Sequence, residues 1–179
     1  MNLPRSAFPL ALALFALLAA TPARAQSPAA ISAALGDIEW RHIGPVNMGG
    51  RVSAIIGVPG DPRTFWVGAA NGGVWKTTNG GVTFEHQWDD ENTYSVGALT
   101  LAPSDHNVVW LGSGEGDPRN SVSYGDGVYR STDGGATWTH LGLDDSERIK
   151  RIVVDPRDPD VALVCAMGHE WGPNRERGV

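Results

Sequence analysis

Two segments of this 179-residue chain bring together the residue types that chemistry needs: 114–126 and 168–177. The first holds Glu115, Arg119, Asn120 and Asp126, and the second holds Glu170, Trp171, Asn174 and Arg175. Glu115, Asp126 and Glu170 are candidate catalytic carboxylates, because hydrolysis of a glycosidic bond takes two carboxyl groups at a set separation, one of them with a raised pKa. Arg119, Asn120, Trp171, Asn174 and Arg175 are candidate binding groups. Polar and charged side chains beside an aromatic suit a peptide or a carbohydrate, with Trp171 available for stacking.

Other chemistries find less support in the sequence. Gly112-Ser113-Gly114-Glu115-Gly116 is glycine-rich after a strand, but no helix follows and no acidic residue is placed for a ribose, so a nucleotide fingerprint is not expected. The histidines 42, 86, 106, 140 and 169 are scattered without metal spacing, and no metal or other cofactor is implied. Asp155-Pro156-Arg157-Asp158-Pro159-Asp160 has carboxylates but lacks the spacing and glycine of a calcium loop, and it matches proline turns elsewhere in the chain. The lone cysteine, Cys165, lies in the apolar run 161–167 and is expected to be a small buried hydrophobe in a strand.

The elements that position these segments repeat. Gly73-Val74-Trp75-Lys76-Thr77-Thr78-Asn79-Gly80-Gly81-Val82-Thr83-Phe84 recurs as Gly127-Val128-Tyr129-Arg130-Ser131-Thr132-Asp133-Gly134-Gly135-Ala136-Thr137-Trp138 and begins again at Gly178-Val179, with spacings of 54 and 51 residues. Such periods build propeller blades or solenoids. Each unit opens with an apolar strand, at 51–56, 95–101 and 149–154, followed by a proline turn that cannot continue a central strand. A second strand follows at 65–68, 108–112 and 161–164, rich in aromatic and β-branched residues. The third strand starts at the repeat glycine, and Asn-Gly or Asp-Gly then reverses the chain into a fourth at Thr83-Phe84 or Thr137-Trp138. This is an all-β chain of β-propeller blades, four-stranded antiparallel units, about three of them belonging to a larger propeller. Most tryptophans recur at equivalent places and are expected in the core or over the turns. From turn proline to repeat glycine the three units span 14, 24 and 22 residues, so the segments carrying the candidate side chains are insertions ahead of the third strand, where loops of a propeller hold function.

The N-terminus reads as an export signal over residues 1–25: Arg5, an apolar stretch from Ala7 to Ala20, and the small-x-small site Ala23-Arg24-Ala25. That stretch is too short for a membrane span, so no span is expected after cleavage. Residues 26–36 form a linker, and 37–179 a partial propeller that stops in its third repeat, so further blades of the same protein are expected as its partners. The expected location is periplasmic or secreted. A net charge of −6 disfavours nucleic acid and anionic membrane surfaces as partners.

Ser131-Thr132-Asp133-Gly134-Gly135-Ala136-Thr137-Trp138 resembles the Asp-box, the bacterial neuraminidase repeat. Thr77, Asn79, Gly81 and Phe84 fill the places of Ser131, Asp133, Gly135 and Trp138, with Asn for Asp and Phe for Trp. Together with Trp40-Arg41-His42-Ile43-Gly44-Pro45 and Gly49-Gly50-Arg51-Val52, the chain resembles secreted bacterial proteins with a sortilin-type N-terminal propeller. In that family the Asp-box residues are structural. Structural repeats without a complete catalytic constellation point to a binding or scaffold module whose inserted loops take a peptide or glycan. The alternative is a sialidase-like glycoside hydrolase completed by further blades, in which Arg51 would join an arginine cluster that holds a carboxylate. As a purely structural residue, Arg51 would order the first blade by bonding backbone carbonyls. A third reading has these blades carrying a catalytic domain further along the protein.

Overall fold

The computed structural model describes residues 50–179; the export signal, the linker and the Trp40 segment lie outside them. Ten strands run through this part: β1 (Val52–Val58), β2 (Asp61–Ala69), β3 (Val74–Thr77), β4 (Glu85–His86), β5 (Val96–Leu101), β6 (Val109–Ser113), β7 (Val128–Ser131), β8 (Thr139–Gly142), β9 (Ile149–Val154) and β10 (Ala162–Ala166). They form two four-stranded antiparallel sheets in sequential order, β1 to β4 and β5 to β8, and a two-stranded sheet of β9 and β10, all within one compact unit. Each sheet is a blade of a β-propeller.

The register repeats from blade to blade. Ala54 opposes Gly68, Ala98 opposes Gly112 and Arg151 opposes Cys165. Just beyond those pairs, all three first strands carry a one-residue bulge, at Ser53, Gly97 and Lys150. A bulge re-aims the strand it interrupts, so the residues ahead of each first strand start from the same geometry. The first strands are neighbours and line one groove, which puts them on the inner side of the stack.

The turns are set by short carboxylates. Asp61, Asp105 and Asp155 each accept a hydrogen bond from the backbone amide two residues on, at 2.8 to 3.0 Å. This is the Asx turn that fits a chain reversal; Asp158 repeats it by accepting from Asp160 N at 3.0 Å, while the Asp160 carboxylate pairs with Arg130 of blade two. Pro62 lies inside β2, contrary to the expectation for a turn proline. It is tolerated because residues 62–64 bulge out between the pairs Gly57 with Phe65 and Val58 with Asp61, where no ladder amide is required.

The two Gly-Gly turns share one bonding plan. Ser131 Oγ accepts from Gly135 N at 2.8 Å and donates to Asp133 Oδ1 at 2.7 Å, and Asp133 in turn holds Thr137 N and Oγ1 at 2.9 and 2.6 Å. Burial would raise the Asp133 carboxyl, but these hydrogen bonds outweigh it and bring its pKa down to about 2. In the first turn Thr77 and Asn79 make the same net, with Asn79 Nδ2 donating to Thr83 Oγ1 at 2.7 Å. The fourth strands start later than expected, at Glu85 and Thr139, because Thr83 and Thr137 are spent closing these turns.

Two apolar clusters fill the gaps between blades. Between blades one and two lie Trp66, Val74, Trp88, Val96, Leu99, Leu111 and Tyr129; between two and three lie Ala98, Trp110, Val128, Ile149, Ile152 and Val154. Trp138 leaves its own hairpin to stand edge-on to Trp88 at 5.1 Å and to donate its indole N–H to Gln87 O at 2.9 Å. Cys165 is in a strand as expected but exposed, because the period-two alternation of β10 turns Leu163 and Cys165 away from blade two.

Candidate functional site

Strands that alternate in direction send their connections alternately to two faces. The proline turns and the Gly-Gly turns share one face. Arg51, Ser95 and Arg148, each immediately ahead of a first strand, share the other with both inserted loops. All the candidate binding and catalytic side chains therefore sit on a single face of the blade stack.

The first loop is held by buried polar groups at its two ends. Gly114 has φ of +82°, and a Cβ there would occupy the place of the Glu147 carbonyl, so only glycine fits. Gly114 N donates to Ser95 O at 2.9 Å, and Gly125 N to Glu147 O at 2.7 Å, so blade three contributes a wall of this loop. The buried Ser113 Oγ accepts from Asp126 N and Gly127 N at 2.8 and 2.9 Å. Asp126 Oδ2 accepts the Tyr129 hydroxyl at 2.8 Å; burial and this carboxylate push the phenol pKa well above its usual value. Asp126 thus serves as a latch for the loop, with Oδ2 on Tyr129 and Oδ1 3.3 Å from Ser113 Oγ.

Glu115 is 2% exposed. Arg51 of blade one grips it bidentately, Nε to Oε1 at 2.8 Å and Nη2 to Oε2. Among the described residues the Arg51 side chain bonds no backbone carbonyl, contrary to the structural reading; a carboxylate 64 residues away is its partner. Arg119 Nε stands 3.9 Å from the same Oε2, while its Nη2 reaches Ser121. Both arginine side chains are nearly half exposed. Two positive groups on one buried carboxylate leave a net positive charge facing solvent, and Asn120 beside them is exposed. A carboxylate held this way positions arginines; its own lone pairs are occupied.

The second loop rests on the segment 145–148. Arg148 is buried, donates from Nε to Gly168 O at 3.0 Å and lies 3.8 Å from Glu170. His169 Nε2 meets Asp145 at 2.9 Å and lies 3.6 Å from Glu147. The Asp145 hydrogen bond raises the His169 pKa. Asn174 donates to Asp145 O at 2.8 Å and Oδ2 at 3.0 Å, so this binding candidate is spent on the loop itself. Arg177 closes the loop on Met167 O and His169 O at 2.8 and 2.6 Å. Trp171 is 76% exposed and Arg175 is exposed. Glu147 holds φ of +53° and Leu143 of +63°, so the connection under both loops is backbone-strained.

The two loops therefore flank one segment, with Lys150 Nζ bonded to Asp117 at 2.6 Å on the first side and Arg148 engaged on the second. Asp145, Glu147, Arg148, His169 and Arg177 were not singled out from the sequence. One signal was present: Arg148 precedes β9 as Arg51 precedes β1. Among the described residues, no group of three or more His, Cys, Asp or Glu side chains is arranged to hold a metal ion.

Solved structures share this arrangement of strands. An ancestral GH74 enzyme aligns over 64% of the chain and 16% of its own length, at 22% identity and a TM-score of 0.55. The common feature is the β-propeller fold. The GH74 enzyme of Niastella koreensis aligns over 56% of the chain and 15% of its own, at 24% identity and a TM-score of 0.44. The chain thus spans about a sixth of the length of these enzymes. No protein-family model matches the chain, and no curated protein matches it.

Proposed function

We propose that this chain belongs to an exported propeller-type binding module, related to the Asp-box and sortilin-type proteins, whose loop face takes a carboxylate of a glycan or peptide. The observation that supports this reading is the convergence of Arg51 and Arg119 on buried Glu115. Their half-exposed side chains present positive charge to a planar anion, and a buried counter-charge fixes them before the ligand arrives. Trp171 and Arg175 on the neighbouring loop supply stacking and a further charge. In a chain of net charge −6, local positive charge also selects an anion against the general field.

The reading is tested by titrating the exported protein with carboxylated and neutral oligosaccharides and with acidic peptides, following tryptophan fluorescence. Binding confined to carboxylated ligands, and weakened about tenfold by Arg119→Ala, is the expected result, equal to the 1.4 kcal/mol of one charge-assisted bond. Equal binding of neutral and carboxylated ligands would overturn it. The competing reading is a glycoside hydrolase, favoured by Glu170, the candidate carboxylate with the weakest partner. Release of sugar from the same oligosaccharides, lost in Glu170→Gln, would replace binding with turnover.

A further inference from the structure

The chain that leaves each fourth strand for the next blade follows one plan at both junctions. His86 is followed by Asp89-Asp90, and His140 by Asp144-Asp145. Each histidine ring lies against the aromatic of its third strand, Trp75 at 4.6 Å and Tyr129 at 4.7 Å. Each also faces the first carboxylate of its pair, His86 Nδ1 to Asp89 at 2.6 Å and His140 Nε2 to Asp144 at 3.5 Å. The second carboxylate is where the junctions differ. Asp145 takes His169 Nε2 at 2.9 Å and Asn174 Nδ2 at 3.0 Å, both brought by the inserted loop of blade three. Among the described residues, Asp90 and its neighbour Glu91 meet no side-chain donor and no cation within ion-pair distance.

Asp90 and Glu91 instead line a recess of about 260 Å³ between blades one and two. A water molecule's share of the liquid is about 30 Å³, so the recess has room for a flat group of several heavy atoms. Its other walls are fixed by contacts already made. Trp88 is buried, Trp138 stands edge-on to it with its indole N–H on Gln87 O, and Thr137 Oγ1 is committed to Asp133. Trp138 is only partly buried and borders the recess. Burial, and after it the charges of Asp126 and Asp90, raise the Glu91 pKa. Negative charge is thus gathered at this junction without the donors that answer it one blade on.

We propose that this recess binds a guanidinium group presented by a basic peptide, which fills at Asp90 the place that His169 fills at Asp145. Carboxylates on one side and an indole on the other match a planar cation, which bonds a carboxylate through paired N–H groups and stacks on an aromatic ring. A bare metal ion makes no use of the indole, and among the described residues no group of three ligating side chains is arranged for one. The recess opens past the exposed Asp89 and Ala136, so the chain that carries the guanidinium can leave it there. A net charge of −6 draws such a cation in. The site is distinct from the Arg51–Arg119 pair, which attracts the opposite charge.

The test titrates the full-length exported protein, by calorimetry, with Nα-acetyl-arginine amide and with its neutral isostere Nα-acetyl-citrulline amide. The arginine probe is expected to bind saturably, and the citrulline probe at least about tenfold more weakly. Glu91→Gln and Asp90→Asn are each expected to weaken the arginine probe about fivefold, with the melting temperature unchanged because neither carboxylate has a partner to lose. Equal binding of the two probes, or unchanged affinity in both variants, would overturn the proposal. Displacement of the probe by calcium chloride at matched ionic strength assigns the recess to a metal ion and overturns it as well. An acetylated and amidated Gly-Gly-Arg-Gly-Gly peptide is expected to bind at least as tightly as the single residue; its failure to bind assigns the recess to a free guanidine and overturns the peptide. None of these probes carries a carboxylate, so the outcome is independent of the reading of Arg51 and Arg119.

Discussion

The two inserted loops leave equivalent strands of neighbouring blades, yet they are held by different physics. The first is tied to all three blades: by the ion pair of Glu115 to blade one, by Ser95 and Ser113 within blade two, and by the Glu147 carbonyl and Lys150 of blade three. Its anchors Glu115, Ser95 and Ser113 are buried, and the Lys150–Asp117 pair is exposed. The second is tied to one short segment, Asp145 to Arg148, and to itself through Arg177. One of its anchors, His169, has its pKa raised by the hydrogen bond to Asp145. The difference separates a loop whose shape is part of the blade stack from one whose order depends on solution conditions, and it places the preorganised charge on the first loop and the exposed aromatic on the second.

The most damaging way to break this contrast is Gly114→Ala. The new methyl meets a backbone carbonyl at positive φ, and a loss of about 3 kcal/mol in thermal or denaturant unfolding is expected, because neither partner can move aside. Gly172→Ala in the second loop, at φ of +93° but in open space, is expected to cost about 1 kcal/mol.

Arg51→Ala comes next. It leaves Glu115 buried with only the more distant Arg119, for an expected loss of about 2 kcal/mol. Arg51→Leu combined with Glu115→Leu is expected to recover most of it. A double mutant as unstable as the single one would show that packing, not charge, holds the loop.

Smaller still is the pH response of the second loop. The Asp145 contact raises the His169 pKa, so its contribution is complete below the unfolded value near 6.5 and lost as pH rises through the higher folded value. Proteolytic cleavage after Arg175 is expected to accelerate between about pH 6 and 8, while exchange of first-loop amides shows no matching step. His169→Gln is expected to abolish the response; a step of equal size in both loops would erase the contrast. Smallest is Trp171→Ala, within about 0.5 kcal/mol of the parent because the ring is exposed, although ligand-induced fluorescence change should fall.

Much of the fold was legible because blade construction is local. Alternating apolar residues, proline turns and Gly-Gly reversals gave the strands in order, and the expected first strand of blade three, 149–154, is the observed β9. Four features were not legible, and each depends on contact between distant residues. The burial of Cys165 depended on which face of β10 has a neighbour. Arg51 was readable as a candidate but its partner, Glu115, was not, since no periodicity links residues 64 apart. Asn174 looked available for a ligand because sequence does not show that Asp145 lies beneath it. Asp126 looked catalytic for the same reason, with Tyr129 placed opposite only by the strand that follows.

The indole bonds between blades one and two run in both directions, Trp66 to the Gly134 carbonyl and Trp138 to that of Gln87. Each blade's turn or exit strand is therefore completed by the other's side chain. Neither blade can open alone without stranding a donor or an acceptor belonging to its neighbour. In hydrogen exchange the two should behave as one cooperative unit, with Gly135 and Gln87 amides sharing a single opening free energy. The pair, not the blade, is the elementary step in which this part of the chain gains or loses structure.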